Sequence, residues 1–86
     1  MKQKIKAVYY HAYWDGNFDN KDRFVETCKA FKVPFELIDC ESQAGVKASI
    51  KNEVRMLPTV IFYNKGGKEI GRCKGNYAYS EIENYL

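Results

Sequence analysis

Three stretches of the chain concentrate apolar, β-branched and aromatic residues between polar or glycine-containing segments. They comprise residues 5–13, 35–40 and 59–64. Runs of this length and composition are typical of β-strands. The glycines of the KGG sequence at 65–67 tolerate a positive φ and favour a tight turn, which predicts a hairpin whose return strand is residues 68–74.

Three other stretches space their apolar residues three or four positions apart, which places those residues on one face of a helix. The first helix ends before Pro34, because proline does not continue a helix. The last helix, residues 78–86, carries Ser80 and Glu83 at the spacing of a capping box. The apolar stripes are Phe24, Cys28 and Phe31 in the first helix, Val46, Ile50 and Val54 in the second (residues 45–54), and Tyr79, Ile82 and Leu86 in the third.

The order of elements is therefore β-α-β-α-β-β-α. A helix between the first two strands implies that they run parallel through a right-handed crossover. Helices can cover both faces of such a sheet. A chain of 86 residues is long enough for one small core, and we interpret residues 1–86 as a single α/β sandwich domain.

Composition and charge argue against several classes of function. The net charge of +3 is mild and the lysines are scattered, so we expect a solvated surface and no nucleic-acid partner. The apolar run near the start is short and rich in tyrosine, which argues against a signal peptide or a membrane partner. The three cysteines are odd in number and far apart, so neither a disulfide framework nor a zinc site is expected. We expect reduced thiols in the cytoplasm and no cofactor.

The second half of the chain resembles the C-terminal half of thioredoxins. An apolar residue followed by Pro-Thr opens a strand at Leu57-Pro58-Thr59, a hairpin turns at 64–67, Gly75 follows the return strand, and a helix closes the chain. The front end then falls on the family's Ala-x-Trp-Cys-Gly-Pro-Cys-Lys motif, with agreement at Ala12, Trp14 and Gly16. The resemblance implies a thioredoxin-like three-layer α/β/α sandwich with a four-stranded mixed sheet of order 2-1-3-4.

The same comparison shows where the chain departs from the family. Asp15 stands at the attacking cysteine, Asn17 at the proline and Phe18 at the resolving cysteine. Disulfide reduction needs a thiolate at the helix start and a second thiol to release the mixed disulfide. The positions of the family's buried acid and its lysine partner fall near Tyr9 and Phe35. We therefore expect no dithiol redox activity.

Our leading hypothesis is a peptide- or protein-binding module. The resemblance implies a cis bond between Leu57 and Pro58 and a groove where the backbone of an extended peptide adds to a strand edge, a mode that needs no thiol. The residues expected at this groove are Trp14, Asp15, Met56, Leu57, Pro58, Cys73, Lys74 and Gly75.

The rival hypothesis is a monothiol oxidoreductase that uses Cys73. Lys74 and Arg72 are cations on either side that would lower the pKa of this thiol. Cys28 is expected to be a buried small hydrophobe, and Cys40 to be partly exposed at a strand end. His11, which ends the first strand before the loop, is interpreted as a partly buried, hydrogen-bonded residue.

A weaker alternative is calcium binding by residues 15–26. Asp15, Asn17, Asp19 and Glu26 occupy positions one, three, five and twelve of an EF-hand loop. The thioredoxin resemblance instead begins a helix near Phe18, and a helical 19–26 segment cannot surround a cation. The acidic residues then serve as helix caps, and no metal site is expected.

Overall fold

The computed structural model describes residues 4–12, 18–75 and 78–85. The seven elements follow the predicted order, with boundaries close to those expected. They are β1 (Ile5–His11), α1 (Phe18–Ala30), β2 (Phe35–Asp39), α2 (Gln43–Lys51), β3 (Thr59–Asn64), β4 (Glu69–Lys74) and a final 3₁₀ helix (Ala78–Tyr85). Within these described ranges, no helix is long and apolar enough to span a membrane.

The four strands form one mixed sheet in the order β2-β1-β3-β4. β1 and β2 are parallel, whereas β3 is antiparallel to both β1 and β4. The predicted sheet order, the parallel first pair and the final hairpin are therefore confirmed. The crossover through α1 accounts for the parallel pair, and the tight turn after Asn64 accounts for the hairpin.

Apolar side chains pack on both faces of the sheet, because successive residues of a strand point to opposite sides. On the first face, the core residues of β1 and β3 pack with residues of α1 and the 3₁₀ helix. On the second face they pack with α2 and the segment that follows it. These layers form the α/β/α sandwich. The first cluster includes Ile5, Ala7, Tyr9, Phe24, Cys28, Val60, Phe62 and Ile82, and the second includes Val8, Tyr10, Ala12, Cys40 and Ile61.

The predicted apolar stripe of α2 is wrong. Val46 is 43% exposed and Ile50 is 72% exposed, and Val54 lies beyond the end of the helix at Lys51. α2 instead turns its small residues inward, since Gly45 is its buried residue and Ala48 packs against the second cluster. The close approach that Gly45 permits rotates the helix away from the face that valine and isoleucine indicated.

The last helix is 3₁₀ where an α-helix was expected. A 3₁₀ helix has three residues per turn, so positions three apart lie on one face. Ile82 and Tyr85 have this spacing: Ile82 is fully buried, and the ring of Tyr85 stacks on that of Phe62 with centroids 4.3 Å apart. The residues of this helix that face the core therefore include Tyr85. Leu86 and the side chain of Ser80, which is part of the predicted capping box, lie outside the described residues.

Arg72 of β4 connects the sheet to the end of α2. Its guanidinium donates two hydrogen bonds to the Glu69 carboxylate, both 2.8 Å long. It also donates to the carbonyl oxygens of Asn52 and Glu53, at 3.1 and 3.3 Å. These carbonyls lie at the end of a helix, where intrahelical donors are missing. Arg72 therefore caps α2 from a neighbouring strand.

Candidate functional site

The segment before β3 forms the centre of the candidate site. The bond between Leu57 and Pro58 is cis. Pro58 is buried, whereas Met56 is 52% exposed. Leu57 is half-buried and packs against the second core cluster. The segment therefore presents one apolar side chain outward while its two neighbours anchor it to the core.

Two hydrogen bonds fix the backbone of this segment. The fully buried Thr59 donates from its hydroxyl to the carbonyl oxygen of Met56. The N–H of Gly75 donates to the carbonyl oxygen of Pro58 at 2.8 Å. Gly75 has a φ of +85°, a conformation that side chains with a Cβ rarely adopt. The structure thus brings Gly75, the residue after β4, next to Pro58, as the resemblance implies.

The backbone of Leu57 differs from that of Met56 and Pro58 in its hydrogen bonding. Within residues 4–12, 18–75 and 78–85, its N–H and C=O have no hydrogen-bond partner. Met56 and Pro58 both use their carbonyl groups, in the bonds to Thr59 and Gly75. A main-chain donor and acceptor on one residue is the pairing unit of an extended strand.

A cavity of about 630 Å³ opens beside Met56 and Leu57. Its walls come from the exposed side of α2, the 54–57 segment and the end of β2. They consist of Cys40, Val46, Ser49, Val54, Arg55, Met56 and Leu57. Sequence reasoning missed Val46 and Arg55 because it used Val46 only as evidence for a helix and treated the charges as scattered. One feature of the sequence could have indicated the position of Val46: the same helix carries small residues, which are better suited than valine to close packing against the sheet.

The structure describes only some of the other residues predicted at the site. Lys74 ends β4 and is exposed. Trp14 and Asp15, with Gly16 and Asn17, lie outside the described residues. Phe18 is the first residue of α1, which agrees with the helix start that the resemblance implies.

The start of α1 bears directly on the calcium hypothesis. The helix spans Phe18–Ala30, so the part of the proposed loop from Asp19 to Glu26 is helical. In an EF-hand, the loop wraps its oxygen ligands around one cation. A regular helix instead spreads positions five and twelve of that loop over about 10 Å of its axis. The backbone in this segment therefore does not match a calcium loop.

Cys73 does not have the environment that the monothiol hypothesis expects. Its thiol is half-buried, and burial raises its pKa, with a further increase from the negative charge of Glu81. A hydrogen bond with Tyr85 opposes these effects in part. The expected lowering by Lys74 and Arg72 is wrong, because the guanidinium of Arg72 is held by Glu69 and the end of α2.

The remaining titratable candidates lie in or beside the core. Cys28 is fully buried, as expected, and burial raises its pKa to about 12. Cys40 is only 6% exposed, so the expectation of a partly exposed thiol is wrong; its N–H pairs with the carbonyl of His11 at 2.8 Å and continues the β1–β2 pairing. His11 is half-buried, as expected, and its ring lies 6.1 Å from that of Tyr9.

We expect Cys73 to react as an ordinary or slow thiol. Its alkylation by iodoacetamide, followed by peptide mass spectrometry, should accelerate with pH beyond the usual thiol value of 9.0, because the thiolate is the reacting species. Glu81→Gln removes a negative charge and should accelerate the reaction a few-fold at neutral pH. Tyr85→Phe removes the hydrogen bond that lowers the pKa and should slow it. A rate that is already maximal at neutral pH would contradict this assignment.

Several solved structures that resemble this chain are thioredoxins. That of Fasciola hepatica has a TM-score of 0.77 and 28% identity, over 98% of this chain and 80% of its own. Thioredoxin 1 of Thermosipho africanus TCF52B has a TM-score of 0.74 and 25% identity, over 93% and 88%. That of Schistosoma mansoni has a TM-score of 0.79 and 19% identity, over 99% and 82%. No protein-family model and no curated protein matches the chain.

Proposed function

We propose that this chain, a member of the thioredoxin-like superfamily, is a peptide-binding module that works without a dithiol. Its three cysteines are at 28, 40 and 73, so no pair has the Cys-x-x-Cys spacing. In the register that the resemblance implies, Asp15 and Phe18 replace the two reactive thiols. Burial and the charge of Glu81 raise the pKa of the Cys73 thiol, which also disfavours the thiolate that a monothiol mechanism needs.

The main chain of Leu57 is the observation that carries the proposal. An extended peptide that lies alongside residue 57 would accept a hydrogen bond from its N–H and donate one to its C=O, as in strand addition. The bonds from Thr59 to Met56 and from Gly75 to Pro58 hold these groups in place before a peptide arrives. Binding then needs little reorganisation of the segment.

The adjoining cavity determines which peptides fit. Val46, Val54 and Met56 provide apolar walls, and Arg55 adds a positive charge. Alternate side chains of an extended peptide point the same way, so one apolar side chain would enter the cavity. A neighbouring acidic residue would pair with Arg55. The favoured ligand is therefore an extended peptide with an apolar residue close to an aspartate or glutamate.

Backbone methylation of a bound peptide tests the strand-addition mode. A peptide would be selected from a displayed random library against the wild-type protein, and each of its amide nitrogens then methylated in turn. We expect the affinity to fall about tenfold or more at the residue that donates to Leu57, because the hydrogen bond is lost and the methyl group clashes. Methylation one residue away should cost much less. Equal tolerance at every position would refute strand addition.

Paired protein variants test the location of the site. Val46→Ser removes an apolar wall and should weaken binding, whereas Leu37→Ser is the matched control because Leu37 is 38% exposed and lies on β2, away from the cavity. Cys73→Ser should leave the affinity unchanged if no thiol takes part. A peptide that is captured only by the Cys73 thiol would instead support the monothiol hypothesis.

A further inference from the structure

We propose that a second site, on the sheet face beside α2, binds a small amphipathic carboxylate: a molecule with an apolar body and one terminal negative charge. The site is a groove of about 620 Å³, within the range of small-molecule pockets. We call it the β1 groove, after the strand along its floor. It shares no lining residue with the cavity at Met56 and Leu57.

The floor of the β1 groove is apolar. Val8 and Tyr10 of β1 lie on it, with Ile38 of β2 on one side and Tyr63 of β3 on the other. The sheet register places Tyr10 opposite Ile38 and Lys6 opposite Tyr63, so the three strands form one continuous surface. α2 closes only one end of this surface, through Ala48 and Asn52, which leaves an apolar body room to lie along β1.

The opposite end of the groove is positively charged. Lys4, Lys6 and Lys65 line it, against one carboxylate, that of Glu36. Glu36 pairs with Lys6 at 3.4 Å. In the described part of the chain, Lys4 and Lys65 have no ion-pair partner. Ile5 pairs with Asn64 across β1 and β3, so these two lysines flank the same end of the sheet. They form a rim that is complementary to a single anion.

The end of the groove that α2 closes is polar but uncharged. It therefore determines which end of the ligand can carry the charge. The Tyr10 hydroxyl accepts a hydrogen bond from the side-chain amide of Asn52 at 3.0 Å. Burial raises the pKa of Tyr10, so the hydroxyl stays protonated and keeps a proton to donate. A second negative charge would find no cation among the lining residues at this end. The ligand is therefore a monocarboxylate with its charge at the lysine end.

Octanoate, an eight-carbon monocarboxylate, is a suitable probe. We expect its titration into nitrogen-15-labelled protein to give saturable changes in the amide signals of Lys6, Val8 and Tyr63. Octan-1-ol has the same chain without the charge and should bind several-fold more weakly. Added salt should reduce this difference, because it screens exposed charges. Signals of Met56 and Leu57 should not shift, which distinguishes this site from the peptide site.

Charge reversal on the rim supplies the decisive comparison. The double variant Lys4→Glu with Lys65→Glu should bind octanoate about tenfold more weakly, since it replaces two attractive charges by repulsive ones. The double variant Lys29→Glu with Lys68→Glu changes the net charge equally at residues outside the groove and should bind like the wild type. Non-saturable shifts, equal effects of both variants, or no preference for octanoate over octan-1-ol would each overturn the proposal.

Discussion

Replacement of Phe62 by alanine is expected to lower the free energy of unfolding by about 3–5 kcal/mol, the usual cost of deleting a buried aromatic ring. Phe62 is fully buried in β3 and its ring stacks on Tyr85 at 4.3 Å. It therefore joins the sheet to the 3₁₀ helix. A domain of this size has a total stability of only about 4–13 kcal/mol, so the variant should be close to unfolding. Urea denaturation followed by circular dichroism measures the change.

A milder substitution keeps this prediction testable if the alanine variant does not fold. Phe62→Leu retains most of the volume and should cost about 1.5 kcal/mol or less. Combined with Tyr85→Leu in a double-mutant cycle, it should show a coupling of about 0.5–1.5 kcal/mol, as expected for aromatic pairs. Strict additivity would mean that the stacking observed between the two rings does not stabilise the fold.

Gly45→Ala is expected to destabilise the protein although alanine is the better helix former. A Cβ at this position would overlap the carbonyl oxygen of Asp39 and lie 2.6 Å from its carbon atom. These are backbone atoms of β2 that cannot rotate away, so α2 must shift. Overpacking of this kind costs about 1–3 kcal/mol, and the helix-propensity gain of about 1 kcal/mol offsets part of it, which leaves a net loss of up to about 2 kcal/mol. Thermal unfolding of the variant and the wild type measures the net loss.

Gly66→Ala is the matched control. A Cβ there would meet only the Asn64 side-chain oxygen, at 3.4 Å, and no positive φ is recorded for Gly66. Its stability should stay within about 0.5 kcal/mol of the wild type. If both variants lost stability equally, the cost at Gly45 would come from the glycine substitution in general and not from the approach of α2 to β2.

The sheet could be predicted from the sequence because three strands are separate blocks of β-forming residues and the fourth follows a tight glycine turn. Residues 59–64 match the observed β3, and the order of helices and strands leaves few possible connections. The approximate start of α1 at Phe18 came from the family resemblance and not from the apolar spacing, which begins only at Phe24.

The errors share a physical origin: contacts between elements override local preference. Spacing placed Val46 and Ile50 on one apolar face of a helix, a face that usually packs on the core, but the close packing of Gly45 on Asp39 turned them outward. Cys40 was expected to be partly exposed at a strand end, yet it is a buried member of the second cluster. The pKa of Cys73 was judged from neighbours in sequence, whereas burial, and then the negative charge of Glu81 from another element, raise it.

The two sites differ in how much of each could be predicted from the sequence. The proximity of Pro58 and Gly75 follows from the resemblance, because the motif is specific. The β1 groove has no motif, since Lys4 and Lys65 are 61 positions apart in the sequence and share an end of the sheet only through the pairing of β1 with β3. Because the lysines are scattered along the sequence, the sequence did not indicate a local concentration of positive charge in the fold.

The position of Arg72 has a consequence for the energetics of recognition. Its bonds reach the carbonyls of Asn52 and Glu53, immediately before the 54–57 segment, while the bond from Gly75 to Pro58 holds the other end. Both anchors come from β4 and the residue that follows it, so a single strand fixes the two ends of the loop. The conformational entropy of these residues is thus lost during folding and not during binding. A short peptide, which gives few contacts, would meet a surface that is already ordered.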